Sequence, residues 1–201
     1  MYRLIFYLLV LLSGEAFAQS NLVDTMVFPR TITISYFGNL LVKPGVKVGI
    51  EFVIAHKTKV KKKNYKKSIR QLTVSGNLGT FWHPHSHASL FNFYTANYRI
   101  VEINKRKFNM IGIGPGIYRS FYPETYKVDD SGNVSSLSMA GRLYFAPVIV
   151  LGVGKFKENK TIQSWYFNTN FMFLFDYNTG VVPLLSFDIG LAISFKRKHN
   201  D

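Results

Sequence analysis

Three histidines in one short stretch are the residues that most clearly suggest chemistry. Residues 81–87 read Phe-Trp-His-Pro-His-Ser-His, which places His83, His85 and His87 at alternate positions. In an extended chain alternate side chains share one face, and imidazole suits Zn, Cu and Ni. No carboxylate lies nearby in the sequence to orient the rings, as metal-binding histidines usually require. We therefore favour a polar connection between strands over a metal site, and we expect no metal and no other cofactor.

A serine two residues beyond the last histidine raises the possibility of nucleophilic catalysis. His87 and Ser89 share a face if the segment is a strand, and a base within hydrogen-bond reach can activate a hydroxyl group. The pair resembles the His-x-Ser pair of outer-membrane lipid A deacylases, and this resemblance implies Glu102 as a third member. The resemblance covers two residues, and Glu102 lies near the far end of the same predicted strand. An enzyme acting on lipid or lipopolysaccharide is therefore an alternative, and we expect a protein that is not an enzyme.

A dense run of positive charge occupies residues 57–70. Like charges keep a solvated loop extended, and this is the interpretation we prefer. Contact with anionic lipid headgroups or lipopolysaccharide phosphates is the second interpretation. No base-stacking or recognition module accompanies the run, so we expect no nucleic-acid partner. The candidates for headgroup contact are Lys61, Lys62, Lys63, Lys66 and Lys67.

Residues 129–133, Asp-Asp-Ser-Gly-Asn, look only superficially like a calcium loop. An EF-hand needs ligands at positions 1, 3, 5 and 12 of its loop with Gly at position 6, and the spacing here does not supply them. Asp, Ser, Gly and Asn are the residues typical of a hairpin tip. We predict a turn at this point.

The first eighteen residues predict export. A short basic start, the apolar residues 4–12 and Ala16-Phe17-Ala18 form the pattern of a cleaved secretory signal peptide. The apolar run is shorter than the roughly 20 residues of a membrane-spanning helix, which disfavours the alternative of an N-terminal anchor. Residues 19–30 are then an N-terminal extension of the exported protein.

Composition limits what the exported chain can be. The 201 residues carry a net charge of +14 and are 16% aromatic, and Cys is absent. Disordered chains are poor in aromatic residues, so a folded domain is expected, without disulfides, thiolate chemistry or Cys-ligated metal.

Alternation of apolar and polar residues predicts an all-β fold of eight strands. Helical periodicity is nearly missing, whereas period-two alternation recurs along the chain. In the strand 89–101 the aromatic residues change faces, so we expect a bulge near Tyr94. The predicted strands are 31–41, 46–55, 71–82, 89–101, 108–119, 143–154, 165–175 and 185–195.

The composition of the two strand faces predicts a membrane barrel. One face carries large apolar residues and the other carries Gly, Ala, Ser, Asn and Thr. Large residues suit lipid, and small or polar residues suit the narrow interior of an eight-stranded barrel. A soluble lipocalin-like barrel, our alternative, would have the opposite arrangement. We expect an aromatic girdle at the strand ends and a charge network in the lumen. The girdle candidates are Trp82, Phe108, Phe121, Tyr122, Trp165, Tyr166 and Phe195, and the lumen candidates are Lys47, Glu51, Arg99, Arg142 and Asp188.

This pattern resembles the small eight-stranded outer-membrane β-barrels of Gram-negative bacteria, the OmpA/OmpX-like class. The resemblance covers residues 31–195 and rests on the alternation, the signal peptide and a last strand in which Leu191, Ile193 and Phe195 alternate to an aromatic end. It implies an antiparallel up-and-down transmembrane barrel in the bacterial outer membrane that contacts lipid, lipopolysaccharide and the barrel-assembly machinery. The sequence departs from the class by a basic tail, 196–201. The expected role is structural or loop-mediated interaction, and not that of a general porin.

Strand count predicts the orientation of the connections. Eight strands return both termini to one side, which in such barrels is the periplasm. The connections 42–44, 83–88, 121–139 and 176–183 then face outward, and 56–69, 104–107 and 156–163 face the periplasm. If the weak strand 31–41 did not form, the basic segment would become extracellular.

Overall fold

The computed structural model describes residues 30–39, 43–61, 66–82, 88–122, 125–129, 131–136, 140–157, 162–177 and 180–194. The predicted signal peptide, most of the N-terminal extension, and the tail with Phe195 lie outside these residues. The strands are β1 Arg30–Asn39, β2 Lys43–Lys61, β3 Lys66–Trp82, β4 Ala88–Glu102, β5 Lys107–Gly114, β6 Gly116–Phe121, β7 Tyr126–Val128, β8 Val134–Ser136, β9 Leu143–Phe145, β10 Val148–Phe156, β11 Ile162–Tyr177 and β12 Gly180–Ser194.

The strands close into an antiparallel ring. β1 pairs with β2 on one side and with β12 on the other, so the first and last strands are joined. β3 pairs with β4, and β4 pairs with both β5 and β6. β10 pairs with β5 and β11, and β11 pairs with β12. Neighbours in sequence are neighbours in space throughout, which is an up-and-down barrel.

Two of the barrel strands are interrupted by proline without losing their register. β5 and β6 form one barrel strand broken at Pro115, and β9 and β10 form another broken near Pro147. Proline has no N–H, so each break removes one ladder hydrogen bond. The proline carbonyls still accept hydrogen bonds, from the backbone N–H of Tyr94 at 2.9 Å and of Phe173 at 3.0 Å. The barrel therefore has eight strands, and the predicted count is confirmed.

The two ends of the barrel differ in what they hold. The end with Arg30 and Ser194 is called the terminal end, and it also holds the short connections around 62–65, 103–106 and 157–161. The opposite end, the loop end, holds the longest connection, 122–142, in which β7 and β8 form a separate hairpin. No helix long and apolar enough to cross a membrane occurs in the part of the chain that the structure describes.

The outer surface of the barrel is apolar, as the alternation predicted. Ile113 is 64% exposed, and Ile189 and Ile111 are more than half exposed. Charged residues such as Lys47 and Asp188 lie inside and are almost fully buried. The predicted orientation of the bulky faces is therefore confirmed.

Three details of the prediction are wrong, and the first is the bulge near Tyr94. β3 and β4 keep one register from Ser68↔Glu102 to Trp82↔Ala88, so no bulge occurs there. A bulge occurs instead beside Val53 in β2. Phe91 and Phe93 point into the lumen while Tyr94 and Tyr98 point outward, which places aromatic residues on both faces of one regular strand.

The basic segment is the second correction. Residues 56–61 and 66–70 are not a loop, because they extend the β2–β3 hairpin down to the pair Lys61↔Lys66. Pairs such as Thr58↔Ile69 favour the strand, since β-branched residues suit a pleated surface. Because β1 forms, this basic hairpin lies at the terminal end.

The third correction concerns the girdle and the lumen. Trp82, Tyr122 and Trp165 are exposed, whereas Phe108 and Tyr166 are buried inside the barrel because they occupy inward-facing positions of their strands. Arg142 is exposed, because it lies in the connection before β9.

Inward glycines create the space that large inward residues occupy. Gly79 is paired with Phe91 across the β3–β4 ladder, and a Cβ at Gly79 would overlap the Phe91 ring. Gly112 stands opposite Asn97 in the same way. The narrow interior can therefore hold aromatic and amide side chains because a glycine faces each of them. The same arrangement occurs for Gly49 with Asn77, Gly152 with Asn168, Gly154 with Phe108 and Gly190 with Tyr166.

Candidate functional site

A buried carboxylate forms the centre of the lumen. Asp188 on β12 accepts three hydrogen bonds: from Lys47 Nζ at 2.7 Å, from Asn168 Nδ2 at 3.1 Å and from Asn170 Nδ2 at 2.6 Å. The side chain of Asp188 is 0% exposed and that of Lys47 is 3% exposed. Burial of a charge is costly unless it is paired and hydrogen-bonded. Two strands, β2 and β11, thus supply the partners that keep this carboxylate of β12 inside the barrel.

A second ion pair lies nearer the terminal end. Arg99 Nη2 donates to Glu51 Oε2 at 2.6 Å, and the guanidinium carbon lies 4.7 Å from the centre of the Phe108 ring. The two lumen pairs carry two positive and two negative charges, so they cancel.

Hydroxyl and amide groups continue this polar layer around the wall. Ser75 Oγ lies 2.8 Å from Thr95 Oγ1, and Asn77 and Asn97 each donate an amide hydrogen to Ser75 Oγ, at 3.2 and 3.1 Å. These are the small polar residues that the sequence assigns to the inner face. They link β3 to β4 through side chains as well as through the backbone.

Apolar clusters flank the polar layer on both sides. At the loop end Phe37 packs on Phe91 with ring centres 4.5 Å apart, together with further aromatic and aliphatic residues. At the terminal end Phe108 packs on Phe156 at 5.2 Å, beside Ile69. A cavity of about 50 Å³ lies between the clusters, lined by residues of the polar layer and by apolar residues of both clusters, including Phe93 and Phe108. At roughly 15 Å³ for each water centre, it has room for about three waters.

The histidine candidates are not described by the structure. His83, His85 and His87 lie outside the described residues. Within the described ranges, no group of three or more His, Asp or Glu residues could hold a metal ion.

The structure does not bring the two described members of the proposed catalytic set together. Ser89 is fully buried at the loop end of β4, and its Oγ lies 2.5 Å from the hydroxyl of Tyr118. Glu102 ends the same strand at the terminal end and lies 3.7 Å from Lys105. At about 3.4 Å per residue the two side chains are some 40 Å apart, on opposite faces of the barrel wall.

A basic rim lies on the outer wall at the terminal end, on five of the eight barrel strands. We use this name for Arg30, Lys57, Arg70, Lys107 and Lys155, all of which are exposed. Of the lysines proposed for headgroup contact, Lys67 is exposed on β3, while Lys61 and Lys66 are placed only as a cross-strand pair. Lys62 and Lys63 lie outside the described residues.

The predicted turn at residues 129–133 has a specific basis. Asp129 accepts hydrogen bonds from the backbone N–H groups of Ser131 and Asn133 and from the Asn133 side-chain amide. These bonds, that of the Asn133 side chain foremost, lower the pKa of the Asp129 carboxyl below its usual value of 3.8. Asp129 therefore holds a tight turn through its charge.

Sequence reasoning found the four lumen charges but not how they pair. Lys47 is separated from Asp188, and Arg99 from Glu51, by long stretches of chain, and only ring closure brings β2 and β12 to the same lumen. The inward phenylalanines were also missed, because the alternation of Gly with bulky neighbours on the adjacent strand is invisible along a single strand.

Comparisons with known proteins add little to these observations. No protein-family model matches the chain, and no curated protein matches it. Among solved structures, the chain is similar to Ail, the attachment invasion locus protein of Yersinia pestis, with a TM-score of 0.39 and 13% sequence identity. The match covers 85% of this chain and 100% of Ail.

Proposed function

We propose that this chain is an integral outer-membrane β-barrel that does not conduct and that presents the 122–142 connection for interaction. The observation that carries this proposal is the distribution of side chains: a ring of eight strands with charges buried inside and large apolar residues exposed outside. A soluble barrel places these groups the other way round, so the arrangement supports lipid as the surrounding medium.

The height of the apolar surface supports the same conclusion. On β3 the exposed apolar residues run from Leu72 to Trp82. At about 3.4 Å per residue and a strand tilt of about 40°, this stretch projects to roughly 26 Å along the barrel axis. Membrane barrels carry an apolar band of about 25 Å, and Trp82 and Trp165 sit at its two borders, where Trp residues are enriched.

The packing of the lumen supports a role other than a pore. Two apolar clusters and two ion pairs occupy the interior, and the cavity between them is about 50 Å³. An open channel needs a continuous water-filled path, as in the much wider porins. We therefore expect a purified, refolded barrel to show no steady ion conductance in a planar bilayer, and a porin-like conductance would contradict this part of the proposal.

The β7–β8 hairpin is the element best placed for interaction. Tyr126 and Val128 are each 62% exposed and Val134 is 66% exposed, in a hairpin that pairs with no barrel strand. Val128 stands directly opposite Val134 and two residues from Tyr126, and contiguous exposed apolar groups are typical of contact surfaces. Because longer loops of such barrels face outward, we place this hairpin at the cell surface and the terminal end in the periplasm.

Cysteine labelling tests this arrangement directly. The chain has no cysteine, so Ser135→Cys and Asn104→Cys each introduce a single thiol, at the β7–β8 hairpin and in a terminal-end turn. A membrane-impermeant maleimide should label Ser135→Cys on intact cells, and Asn104→Cys only after the outer membrane is opened. Fractionation with outer-membrane markers and heat-modifiable migration on gels should accompany this result, and recovery in a soluble fraction would refute the membrane assignment.

The proposal also bears on the assembly machinery as a partner and on lipid hydrolysis as an alternative function. An exported outer-membrane barrel requires the assembly machinery, for which β12, with Leu191 and Ile193 near its end, is the candidate signal. The separation of Ser89 from Glu102 offers no support for lipid hydrolysis.

A further inference from the structure

Cations occupy the first outward position beyond the apolar surface on several strands. On β3, Arg70 is the outward residue that follows Leu72 toward the terminal end, and on β10 Lys155 follows Val153. On β1, Arg30 lies next to β2, with its guanidinium carbon 5.5 Å from the centre of the Phe52 ring. The basic rim is therefore set at one level, directly below the surface that faces hydrocarbon.

The cations of the rim face one another across the ladder. Lys57 stands directly opposite Arg70, and Lys107 directly opposite Lys155. Like charges in directly opposed positions destabilise a sheet. Within the described residues Glu102 is the carboxylate at this level: it stands directly opposite Lys107 on the β4–β5 ladder, and its Oε1 lies 3.7 Å from Lys105 Nζ. Among the described residues one carboxylate thus faces five rim cations, so most of the positive charge of the rim has no opposite charge beside it.

We infer that the basic rim binds the phosphate groups of anionic glycerophospholipids. Lysine and arginine side chains at this height reach the headgroup layer while their stems cover apolar surface. Each bound phosphate would place one negative charge between two facing cations and so reduce their repulsion, which accounts for the tolerated like-charge pairs. The inference rests on the proposed membrane function, because the rim has this relation to lipid only if the apolar surface is embedded.

The position of the rim favours phospholipid over lipopolysaccharide as the source of these phosphates. The rim lies at the terminal end, with both end strands and the short turns, and that end faces the periplasm in barrels of this class. The periplasmic leaflet of the outer membrane consists of glycerophospholipids. The cations of the loop end, including Arg119 and Lys127, lie on the other side.

Spin-labelled lipids provide the test. The barrel is reconstituted into phosphatidylcholine vesicles, and the association of spin-labelled phosphatidylglycerol is compared with that of spin-labelled phosphatidylcholine by electron paramagnetic resonance. Two facing cations at each bound headgroup predict a preference of roughly thirtyfold for phosphatidylglycerol at these sites. Added salt should reduce this preference, because the Debye length shortens as the ionic strength rises. In the variant Lys57→Gln/Arg70→Gln/Lys107→Gln/Lys155→Gln, which removes four of the five rim cations, most of the preference should be lost.

A matched variant removes the same charge from the loop end. Its four changes are Lys43→Gln, Arg119→Gln, Lys127→Gln and Arg142→Gln, and it should keep most of the preference. An equal fall in both variants would overturn the inference, as would a parent protein without preference.

A double variant and a lipopolysaccharide competition distinguish failure of this inference from failure of the proposed function. The double variant Lys57→Gln/Arg70→Gln changes only the hairpin extension, and it should lose part of the preference if the fourfold variant does not fold. A barrel that floats with the vesicles but binds lipopolysaccharide at the rim in preference to phosphatidylglycerol refutes the assigned lipid alone. A protein that does not insert refutes the proposed function instead.

Discussion

Replacing either Lys47 or Asp188 alone should destabilise the protein more than replacing both residues together. Both side chains are almost completely buried, with 2.7 Å between Lys47 Nζ and Asp188 Oδ2. Lys47→Met leaves a buried carboxylate that retains hydrogen bonds only from Asn168 and Asn170, and removal of one partner of a buried pair costs about 3–5 kcal/mol. Because those two amides still contribute, we expect a loss of about 3 kcal/mol, a change of more than 100-fold in the unfolding equilibrium.

The reverse single change and the double change complete a thermodynamic cycle. Asp188→Asn leaves the Lys47 ammonium unpaired among polar groups and should cost a similar amount. Lys47→Met/Asp188→Asn removes both charges, and replacement of a complete buried pair is often nearly neutral. The double variant should therefore lose only about 1 kcal/mol, far less than the sum of the single losses.

Reversible urea unfolding in phosphatidylcholine vesicles measures these free energies. Trp82 and Trp165 face outward, so their fluorescence reports removal of the barrel from lipid, and heat-modifiable migration confirms the folded state. Lys127→Met serves as a matched control, because Lys127 is exposed on the β7–β8 hairpin and such surface changes usually stay within about 0.5 kcal/mol. Additive losses in the double variant, or a Lys47→Met protein as stable as the parent, would refute the reasoning.

Three further predictions address packing, lipid exposure and the surface turn. Gly79→Ala should destabilise the barrel by about 1–3 kcal/mol through overlap with Phe91, and Phe91→Leu in the same chain should restore part of the loss in urea unfolding. Ile113→Lys, on the outer wall, should cost about 2–4 kcal/mol in vesicles if the side chain lies near the bilayer midplane; a neutral effect would argue against embedding. The pKa of Asp129 should lie below 3.8 and rise toward it in Asn133→Ala, as measured by NMR titration. Since folding lowers this pKa, the contribution of Asp129 to the turn should be present above about pH 4 and disappear as pH falls through the lowered pKa.

The sequence was sufficient for the strands and their faces because both depend on local alternation. All eight barrel strands, the outward position of residues such as Ile111 and Leu151, and four lumen charges follow from period two alone. What the sequence could not supply depends on cross-strand partners. Whether Phe91 fits inside is decided by Gly79 on β3, and the extent of the basic hairpin is decided by the pairing of β2 with β3.

The candidate site was harder to predict for the same reason. Lys47 and Asp188 belong to opposite ends of the chain, and their contact requires β1 to lie between β2 and β12. Ser89, which looked like a nucleophile beside a histidine, is instead a buried lumen hydroxyl next to Tyr118. The order of residues along one strand cannot show whether a serine is a nucleophile beside a histidine or a buried hydroxyl in the lumen.

The seam between β1 and β12 has a consequence for biogenesis. Thr31 pairs with Ser194 and Asn39 with Ser186, so the hydrogen bonds that close the ring join the first and the last barrel strand in chain order. Until the final strand is present, β1 and β11 each display a row of unsatisfied backbone groups, which invite pairing with other chains. A polypeptide that lacks β12 would leave both of these edges open, so the ring can close only after β12 has been synthesised.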